Sequence, residues 1–458
     1  MEDTIAAVAT PIGRGGIGIV RLSGDQARAI AGRVFRPRNP VKAWQSHHLY
    51  LGHLVDPSTG SIVDEVLLSF MKAPHSYTRE DVVEINIHSG YLLLTKVLQI
   101  VLEAGARPAK PGEFTFRAFL NGRIDLTQAE AVVDLIQARS ERGLILSSGQ
   151  IKGDFRKSIE TLRQATLGML ARIEVLIDFP EEASGFLPEG DAARSIEQDL
   201  LEPIEQLIAA HGQRRIWVEG VNTVIVGRVN AGKSSLLNRL LNEERALVTP
   251  IPGTTRDALE STLHIRGIPL RLMDTAGFRK VKGRIERLGI QVTRQKLSAA
   301  DLVLLVVDQS RPLTRDDLEI LACAGEQKTL IVLNKIDLRP RLSREAAMKA
   351  FDGYEIIELS ALTGQGIEDL HDAIVGRVIS SDSDLTAAEV APNLRHKIAL
   401  EEALQAFRAG SANARQGMPW EIIAADLQAG LTALGEIIGE KTPEDVLDRI
   451  FSEFCIGK

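Results

Sequence analysis

Hydrophobic and polar positions divide the chain into segments with different periodicities, and the first segment covers residues 1–118. Short runs such as GIGIVRLS and VVEINIH lie between turn residues. Their apolar side chains either alternate with other residues or follow one another without a break, and both patterns predict β-strands. Two stretches with helical spacing, near residues 25–35 and 91–104, lie between these runs. Strands interleaved with helices in this order predict an α+β domain.

Residues 119–216 have the periodicity of amphipathic helices. Their apolar side chains recur every three or four positions, as in Leu126, Ala129 and Val133. The same spacing returns in residues 379–458. Both segments are therefore predicted to be helical.

Between these helical segments, residues 217–378 show a third pattern. The apolar runs TVIV, PLRLM, LVLLVV, TLIVL and EIIEL are each followed by a polar segment and then by a helical one. This alternation is typical of a parallel sheet with helices on both faces. We therefore predict a multidomain α/β and α+β protein, in which an α/β domain at 217–378 interrupts a helical domain formed by 119–216 and 379–458.

Composition limits the classes of function for this chain of 458 residues, whose 54 basic and 61 acidic side chains give a net charge of −7. The negative net charge argues against a protein that coats nucleic acid with a broad positive surface, and an aromatic content of only 4% argues against one that stacks successive bases. Two cysteines, Cys323 and Cys455, are too few for a disulfide framework and indicate a reducing compartment. An acidic start and the lack of an apolar run of membrane length predict a cytoplasmic protein without a membrane partner.

The strongest chemical signal is GRVNAGKS at residues 227–234, which fits the pattern GxxxxGK[ST] at every fixed position. A strand-like run precedes it and a helix-like run follows it. In such a loop, backbone N–H groups wrap the phosphates, Lys233 neutralises the β and γ oxygens, and the Ser234 hydroxyl binds Mg²⁺. The segment therefore predicts a nucleoside triphosphate site.

Three further motifs follow in order, each at the end of a predicted strand, where open α/β sheets bind ligands. DTAG at 274–277 supplies an aspartate that holds Mg²⁺ through water and a glycine N–H that contacts the γ-phosphate. NKID at 334–337 positions Asp337 to accept hydrogen bonds from the N1–H and the amino group of guanine, a pair of donors that adenine lacks. SAL at 360–362 offers a backbone N–H to guanine O6. Together these motifs predict a GTPase.

The segment TPIPGTTRD at 249–257 is predicted to be the switch that closes over the γ-phosphate. It lies between the helix of the phosphate loop and the next strand, and a threonine in it can complete Mg²⁺ coordination. The expected GTP-binding residues are Asn230, Ala231, Gly232, Lys233, Ser234, Ser235, Thr249, Pro250, Ile251, Pro252, Gly253, Thr254, Thr255, Asp274, Thr275, Ala276, Gly277, Asn334, Lys335, Asp337, Ser360, Ala361 and Leu362.

Hydrolysis requires a residue that orients water, and its usual position is occupied by Phe278. Ras-like enzymes carry a glutamine directly after DxxG, whereas a phenyl ring cannot orient water. The polar candidates that follow are Arg279, Lys280, Glu286 and Arg287. We favour Glu286, because a carboxylate can accept hydrogen bonds from water.

Over its whole length the chain resembles the MnmE/TrmE family of tRNA-modification GTPases. The resemblance rests on DTIAAVATPIGRGGIGIVRLSG, PGEFTFRAFLNGRIDLTQAEAVVDLI, GRVNAGKSSLLN, PGTTRD, DTAG and the final FCIGK. A generic GTPase would share only the pieces within 217–378. The resemblance implies that residues 1–118 form a tetrahydrofolate-binding-like domain that assembles a homodimer, and that residues 217–378 form an inserted Ras-like P-loop G domain.

The resemblance also implies a reaction. Together with the FAD-dependent partner MnmG, in a heterotetramer or larger complex, such a protein adds an aminomethyl or carboxymethylaminomethyl group to carbon 5 of the wobble uridine of certain tRNAs. The one-carbon unit comes from a tetrahydrofolate derivative, either 5-formyl- or 5,10-methylenetetrahydrofolate. The implied folate-binding residues are Arg21, Glu84, Arg123 and Lys458. Family members often carry lysine at the position of Arg123, so the charge is kept while the contact geometry differs.

By the same resemblance, K⁺ bound between the phosphate loop and the switch offsets transition-state charge. The implied metal ligands are Asn230, Thr249, Ile251 and Thr254 for K⁺, and Ser234 and Thr255 for Mg²⁺. The implied catalytic residues are Lys233, Glu286, which aligns with the family's water-orienting glutamate, and Cys455. For Cys455 two interpretations stay open: its thiolate takes part in chemistry, or it is a small buried residue that docks the FCIGK segment.

Two other functions compete with this interpretation. A ribosome-assembly or RNA-binding regulatory GTPase has a similar G domain but needs an RNA-binding module such as a KH fold, and no flanking GXXG occurs in that context. The sequence does not distinguish a tRNA-modifying enzyme from a non-catalytic scaffold whose GTP cycle only gates MnmG, because the partner's flavin can carry the reaction.

Overall fold

The computed structural model describes residues 3–11, 13, 15–179, 189–245, 262–273, 297–324, 328–379, 390–440, 442–452 and 454–458. The chain forms two compact units. The first comprises Met1–Ile136, Gln150–Ile204 and Ile398–Lys458, and the second comprises Gln137–Gly149 and Glu205–Lys397. The domain boundaries given above from the sequence stay a prediction.

The first unit begins with a seven-stranded sheet. Its strands are β1 (Ile5–Val8), β2 (Ile17–Ser23), β3 (Phe35–Pro37), β4 (His48–Val55), β5 (Ile62–Met71), β6 (Val82–His88) and β7 (Arg107–Pro108), in the spatial order β3-β4-β5-β6-β2-β1-β7. All neighbours are antiparallel except β1 and β7. Helices α1 (Ala27–Val34) and α2 (Tyr91–Glu103) contribute buried apolar side chains to the same core as the strands.

The alternation of side chains along β2 separates core residues from site residues. Val20 and Leu22 are fully buried in this core, whereas Arg21 between them projects to the opposite face of the sheet. On β6, Val83 and Ile85 are buried in the same way, and Glu84 lies between them. Arg21 and Glu84 therefore share the face of the sheet that the core does not cover.

Helices follow this sheet along the chain. They are α3 (Glu113–Leu120), α4 (Leu126–Gln137), α5 (Glu141–Ile151), α6 (Asp154–Asp178), α7 (Glu189–Ile196) and α8 (Glu202–Arg214). Two π-helical turns, Glu197–Leu201 and Arg215–Glu219, precede and follow α8. The amphipathic spacing read from the sequence is matched by burial in α4 and α6, where Leu126, Ala129, Ile159 and Leu162 are buried, whereas Leu144 and Ile145 of α5 are exposed.

The second unit contains a six-stranded sheet in the order β13-β12-β11-β8-β10-β9. Its strands are β8 (Val221–Val226), β9 (Thr262–Ile265), β10 (Ile268–Leu272), β11 (Leu302–Asp308), β12 (Thr329–Asn334) and β13 (Glu355–Leu359). The helices are α9 (Lys233–Arg245), α10 (Arg315–Ala324), α11 (Arg344–Ala350) and α12 (Ile367–Val378). Two apolar clusters contain alternate residues of the central strands, as expected for a sheet buried on both faces.

The sheet has one strand more than the five predicted, at one edge. The five strands predicted from apolar runs pair in parallel, but β9 pairs antiparallel with β10. The hairpin turn consists of Arg266 and Gly267, both with positive φ, at 49° and 84°. Two such residues form the short turn that matches the twist of a hairpin, which explains why the extra strand fits here.

The chain returns to the first unit with α13 (Leu394–Arg415), α14 (Trp420–Ile438) and α15 (Glu444–Ser452). Helix α14 packs along α6, and a bidentate ion pair between Arg163 and Glu440 reinforces this pairing, with N–O distances of 2.6 and 2.7 Å. The predicted fold class is confirmed: an N-terminal α+β part, helices, and an inserted P-loop α/β part. None of the helices in the described ranges combines the length and apolarity needed to cross a membrane.

Candidate functional sites

The phosphate loop starts after the last residue of β8 and leads into α9, which begins at Lys233. The Lys233 ammonium donates hydrogen bonds to the carbonyl oxygens of Gly227 at 2.7 Å and Arg228 at 2.6 Å. Burial lowers the pKa of Lys233 below its ordinary value of 10.5. A partly buried cation is thus held at the N-terminus of a helix, where backbone N–H groups also favour an anion.

Gly232 lies where the phosphate loop passes closest to the NKID motif. Its φ is +104°, and a Cβ atom there would lie 2.0 Å from Nδ2 of Asn334. Any side chain would therefore displace Asn334 as well as strain the backbone. The second glycine of the GxxxxGK pattern is required by this contact between two loops.

Asn334, the last residue of β12, connects three loops at the carboxyl end of the sheet. Its Nδ2 donates to the carbonyl oxygen of Ala231 at 2.9 Å, and its Oδ1 accepts from the N–H groups of Lys335 at 2.8 Å and Ala361 at 3.0 Å. The residue is only 1% exposed. A buried amide that is hydrogen-bonded on both sides fixes the phosphate loop relative to the NKID and SAL segments.

Lys335 forms a second link between these loops. Its Nζ donates to the carbonyl oxygen of Asn230 at 2.8 Å and to Oδ2 of Asp308 at 2.6 Å. Burial raises the pKa of Asp308, but hydrogen bonds from Lys335 and Ser310 outweigh it and leave the pKa below its ordinary 3.8. Asp308 was not among the residues predicted from the sequence; the available signal was its position at the end of β11, directly after LVLLVV.

The predicted guanine-binding residues also lie together. The Ser360 hydroxyl donates to Oδ1 of Asp337 at 2.6 Å, which links NKID to SAL. Arg239 of α9 donates to the carbonyl oxygen of Ala361 at 3.2 Å and to that of Leu362. The structure therefore brings both motifs to the same edge of the sheet as the phosphate loop.

The remaining predicted nucleotide and metal ligands divide into two groups. Ser234 and Ser235 are exposed in the first turn of α9. Outside the described residues lie Thr249, Pro250, Ile251, Pro252, Gly253, Thr254, Thr255, Asp274, Thr275, Ala276, Gly277 and Glu286. Within the described part of the chain, no three His, Cys, Asp or Glu side chains come together as metal ligands.

A second candidate site lies in the first unit, on the face of the sheet that carries Arg21 and Glu84. Arg21 Nε donates to Glu84 Oε1 at 2.8 Å, and both side chains are about a quarter exposed, at 24% and 22%. A cavity of about 250 Å³ opens beside them, lined by Arg21, Met71, Tyr77, Val82, Glu84, Val132 and Lys458. Three of the four predicted folate-binding residues therefore meet at one cavity, although they come from distant parts of the chain.

Arg123, the fourth predicted folate residue, reaches this cavity through Tyr77. Its guanidinium donates to the Tyr77 carbonyl oxygen at 3.2 Å and lies 4.7 Å from the centroid of the Tyr77 ring, a cation–π contact. The Tyr77 hydroxyl is hydrogen-bonded to the Thr115 hydroxyl at 2.9 Å. Since a planar guanidinium stacks on an aromatic ring better than an ammonium does, arginine at this position supports the tyrosine wall of the cavity. Tyr77 had no sequence signal that marked it as a site residue.

The two cysteines have different environments. Cys455 is exposed, so the interpretation of Cys455 as a small buried residue is wrong. Its carbonyl oxygen accepts a hydrogen bond from the Gly112 N–H at 3.5 Å. Cys323 is partly buried and packs against an apolar cluster of the second unit.

Comparison with known proteins gives matches along the whole chain. A family model for the N-terminus of the GTP-binding protein TrmE matches residues 4–123, and a model for the MnmE helical domain matches residues 126–455. The tRNA modification GTPase MnmE of Geobacillus kaustophilus is 44% identical over 460 residues, which cover 100% of this chain and 99% of the relative. The tRNA modification GTPase MnmE of Moorella thermoacetica is 45% identical over 467 residues and 100% of both chains. Among solved structures, the G domain of the T. maritima FeoB iron transporter matches 34% of this chain and 98% of its own length, with 27% identity and a TM-score of 0.26.

Proposed function

Because this chain belongs to the MnmE family of tRNA modification GTPases, we propose that it couples K⁺-dependent GTP hydrolysis to a folate-dependent modification of tRNA. It is a GTP hydrolase that acts in tRNA modification. In the proposed reaction, the protein and MnmG together install an aminomethyl or carboxymethylaminomethyl group on carbon 5 of the wobble uridine. The one-carbon unit is taken from 5-formyl- or 5,10-methylenetetrahydrofolate. The cytoplasmic location expected from the sequence stays a prediction.

In the nucleotide site, Lys233 and the backbone of the phosphate loop hold the β- and γ-phosphates. Asp337 accepts the N1–H and amino hydrogens of guanine, and the Ala361 region offers an N–H to guanine O6. The support for these roles is the position of the three segments at one edge of the sheet, linked by Asn334. A rigidly connected edge holds the base and the phosphates at a fixed separation, which positions the γ-phosphate for attack by water.

Two cations complete this proposal. Ser234 and Thr255 hold Mg²⁺, which neutralises charge on the β- and γ-phosphate oxygens. Asn230, Thr249, Ile251 and Thr254 hold K⁺, which offsets the charge that develops in the transition state. An amide and several hydroxyl or carbonyl oxygens are suitable donors for such hard cations, and Asn230 is exposed beside the phosphate loop, with its own carbonyl fixed by Lys335. Glu286 orients the attacking water. In Ras-like enzymes a glutamine directly after DxxG has this role, but Phe278 occupies that position here.

The proposed folate site is carried by one observation: Arg21, Glu84 and Lys458, which the resemblance to the family implies as folate-binding residues, line the same 250 Å³ cavity. Their charges suit a ligand with both hydrogen-bond donors and anionic groups. Glu84 can accept hydrogen bonds from a pterin ring, which presents an N–H and an amino group side by side, while Arg21 and Lys458 supply positive charge. Tyr77, supported by Arg123, offers a flat apolar wall to a planar ring.

We also propose that the first unit forms a homodimer. Leu49, Leu51 and Leu67 are exposed by 65%, 40% and 41%. Leu51 faces Leu67 across β4 and β5, and Leu49 lies two residues along on the same face. An exposed apolar cluster on one face of a sheet is typical of a surface that a partner covers. MnmG and tRNA are proposed partners on the strength of the family alone.

The experiment that tests this function is a reconstituted modification assay. Unmodified tRNA is incubated with the protein, with each of MnmG, GTP and the folate derivative omitted in turn, and wobble-uridine nucleosides are measured by mass spectrometry. We expect modification only in the complete mixture. If the modified nucleoside forms without any folate, the one-carbon assignment is wrong. If a variant with Arg21→Gln supports full modification, Arg21 is not needed in the proposed folate site.

A further inference from the structure

The FCIGK segment, residues 454–458, docks on the first unit through its backbone. The Gly112 N–H donates to the Cys455 carbonyl at 3.5 Å, and the Phe114 N–H donates to the Lys458 carbonyl at 3.2 Å. Helix α3 begins at Glu113, so both N–H groups belong to the helix N-terminus and have no acceptor within the helix. The segment thus supplies acceptors for N–H groups that a helix leaves unpaired.

Gly457 lies against the end of β1. A Cβ atom on Gly457 would lie 2.3 Å from the carbonyl oxygen of Val8 and 3.0 Å from Cα of Ala9, and both neighbours are backbone atoms that cannot turn aside. Its φ is +97°, a region that other L residues rarely adopt. Its carbonyl oxygen accepts a hydrogen bond from Arg21 at 3.3 Å. Glycine is therefore required for the segment to reach Arg21.

We propose that Gly457 is a positioning residue of the folate cavity, which fixes both Arg21 and Lys458 in its wall. Arg21 is held from two directions, by Glu84 and by the Gly457 carbonyl, and its guanidinium also lies 5.7 Å from the centroid of the Phe114 ring. Lys458 follows Gly457 directly, and its carbonyl is held by the Phe114 N–H. Displacement of Gly457 therefore removes one of the two groups that hold Arg21 and shifts Lys458 at the same time. This inference rests on the proposed folate function of the cavity.

The test compares Gly457→Ala with Gly60→Ala, a matched control. Gly60 also has positive φ, at +71°, but a Cβ there would meet no atom within 4 Å, so the control carries the backbone strain without the clash. Binding of 5-formyltetrahydrofolate to the full-length protein is measured by calorimetry. We expect affinity to fall at least about tenfold for Gly457→Ala and to stay within about twofold for Gly60→Ala.

A double-mutant cycle separates positioning from general damage. If Gly457 acts through Lys458, then Gly457→Ala causes a smaller loss of affinity in a Lys458→Gln background than in the wild-type background. A folate-free measurement supports the same point: amide hydrogen exchange at Gly112 and Phe114 becomes faster in Gly457→Ala, because these N–H groups lose their acceptors. Exchange in α6 and α14 stays unchanged if the unit remains folded.

The outcomes distinguish this inference from the function on which it rests. Weakened folate binding in Gly457→Ala, with faster exchange at Phe114 and non-additivity with Lys458→Gln, supports the inference. If the wild-type protein binds the folate and Gly457→Ala binds it equally well, the inference is overturned while the folate site stands. If the wild-type protein does not bind the folate at all, both the proposed function of the cavity and this inference are wrong.

Discussion

Arg21 on β2 and Glu84 on β6 are direct cross-strand partners, and their side chains are joined by a hydrogen bond of 2.8 Å between Arg21 Nε and Glu84 Oε1. The pair lies at the edge of a 250 Å³ cavity instead of within a packed core. Partly exposed ion pairs contribute little to stability, typically 1 kcal/mol or less. A pair in this position is better explained by what it offers to a ligand than by what it adds to the fold.

Replacement of Glu84 by glutamine should weaken the binding of 5-formyltetrahydrofolate. An amide keeps the shape of the side chain but replaces one acceptor oxygen by a donor, so an N–H and amino pair on the ligand is no longer matched; we expect a loss of about tenfold to a hundredfold. Calorimetry with the folate measures the change, and Glu65→Gln on the neighbouring strand is the control, since Glu65 is exposed and lies outside the cavity lining. Equal affinity of both variants for the folate would remove Glu84 from the site.

Replacement of Asp337 by asparagine should change the base that the nucleotide site prefers. The Asp337 carboxylate, oriented by the Ser360 hydroxyl at 2.6 Å, is proposed to accept two hydrogens from guanine. Xanthine carries a carbonyl in place of the amino group of guanine, and an asparagine amide can donate to that carbonyl. We therefore expect affinity for GTP to fall by orders of magnitude while affinity for XTP rises.

The control for this exchange is Asp369→Asn, because Asp369 is an exposed residue in the first turn of α12 and is not part of the site. Turnover of GTP and XTP is measured for both variants and the wild-type protein. Unchanged GTP turnover in Asp337→Asn contradicts the assignment of NKID as the guanine-recognition segment.

Potassium dependence can be tested at Asn230. In the wild-type protein we expect GTP turnover to be about tenfold faster or more in K⁺ than in Na⁺ at equal ionic strength, because a coordination site sized for K⁺ stabilises transition-state charge. Asn230→Gly removes the amide ligand without straining the backbone, since φ is +65° at this position. That variant should lose the difference between the two cations.

Val229→Gly is the control for this experiment, because Val229 is the preceding loop residue and is 84% exposed. It introduces the same flexibility into the loop but leaves the amide of Asn230 in place. Equal rates in K⁺ and Na⁺ for the wild-type protein contradict the K⁺ site as a whole. A K⁺ preference that persists in Asn230→Gly removes only Asn230 from the ligand set.

The sequence pattern predicted most of the strands and the phosphate loop, because these elements are determined by residues that are close together in the chain. The apolar run GIGIVRLS predicted β2, and the GxxxxGK pattern followed by a helix-like run predicted the phosphate loop that leads into α9 at Lys233. By contrast, β9 was missed: it is a four-residue edge strand, TLHI, with polar positions that give little apolar signal. Its pairing depends on the turn at Arg266 and Gly267 more than on its own composition.

Contacts between distant segments were not predictable in the same way. Asp308 stands next to Lys335 only because β11 and β12 are parallel neighbours in register, with Asp308 opposite Asn334. The Tyr77 wall likewise depends on Arg123, whose stacking has no counterpart in the pattern of either residue. Such pairs depend on how the fold brings distant segments together, which no short stretch of sequence encodes.

Arg117 gives the clearest prediction about stability. Its side chain is 1% exposed, and its guanidinium contacts three carboxylates: Glu80 at 3.1 Å, Asp3 at 2.7 Å and Glu113 at 3.1 Å. Arg117→Met would remove the one cation that all three carboxylates contact; Arg107 would still pair with Asp3 and Glu113, but Glu80 would lose its arginine and the almost fully buried Glu113 would lose one of its two. We expect the free energy of unfolding to fall by about 3–5 kcal/mol, as measured by urea denaturation at neutral pH.

The pKa of the Glu113 carboxyl determines how the destabilisation caused by Arg117→Met depends on pH. Burial raises the pKa of Glu113, but hydrogen bonds from Arg107, the Lys110 N–H and Arg117 outweigh it and hold the pKa below its ordinary 4.5. A carboxylate whose pKa is lowered by folding contributes stability above 4.5, and this contribution is lost as the pH falls through the lower, folded value.

Without Arg117 the pKa of Glu113 in the folded state rises, so that protonation costs less stability than in the wild-type protein. The difference in unfolding free energy between Arg117→Met and the wild-type protein should therefore be larger at about pH 7 than at about pH 4. The control is Arg36→Met, an exposed arginine that donates to backbone carbonyls, for which we expect a change within about 0.5 kcal/mol at either pH. A destabilisation by Arg117→Met that does not change between the two pH values would mean that lost packing, and not the buried charge network, accounts for the effect.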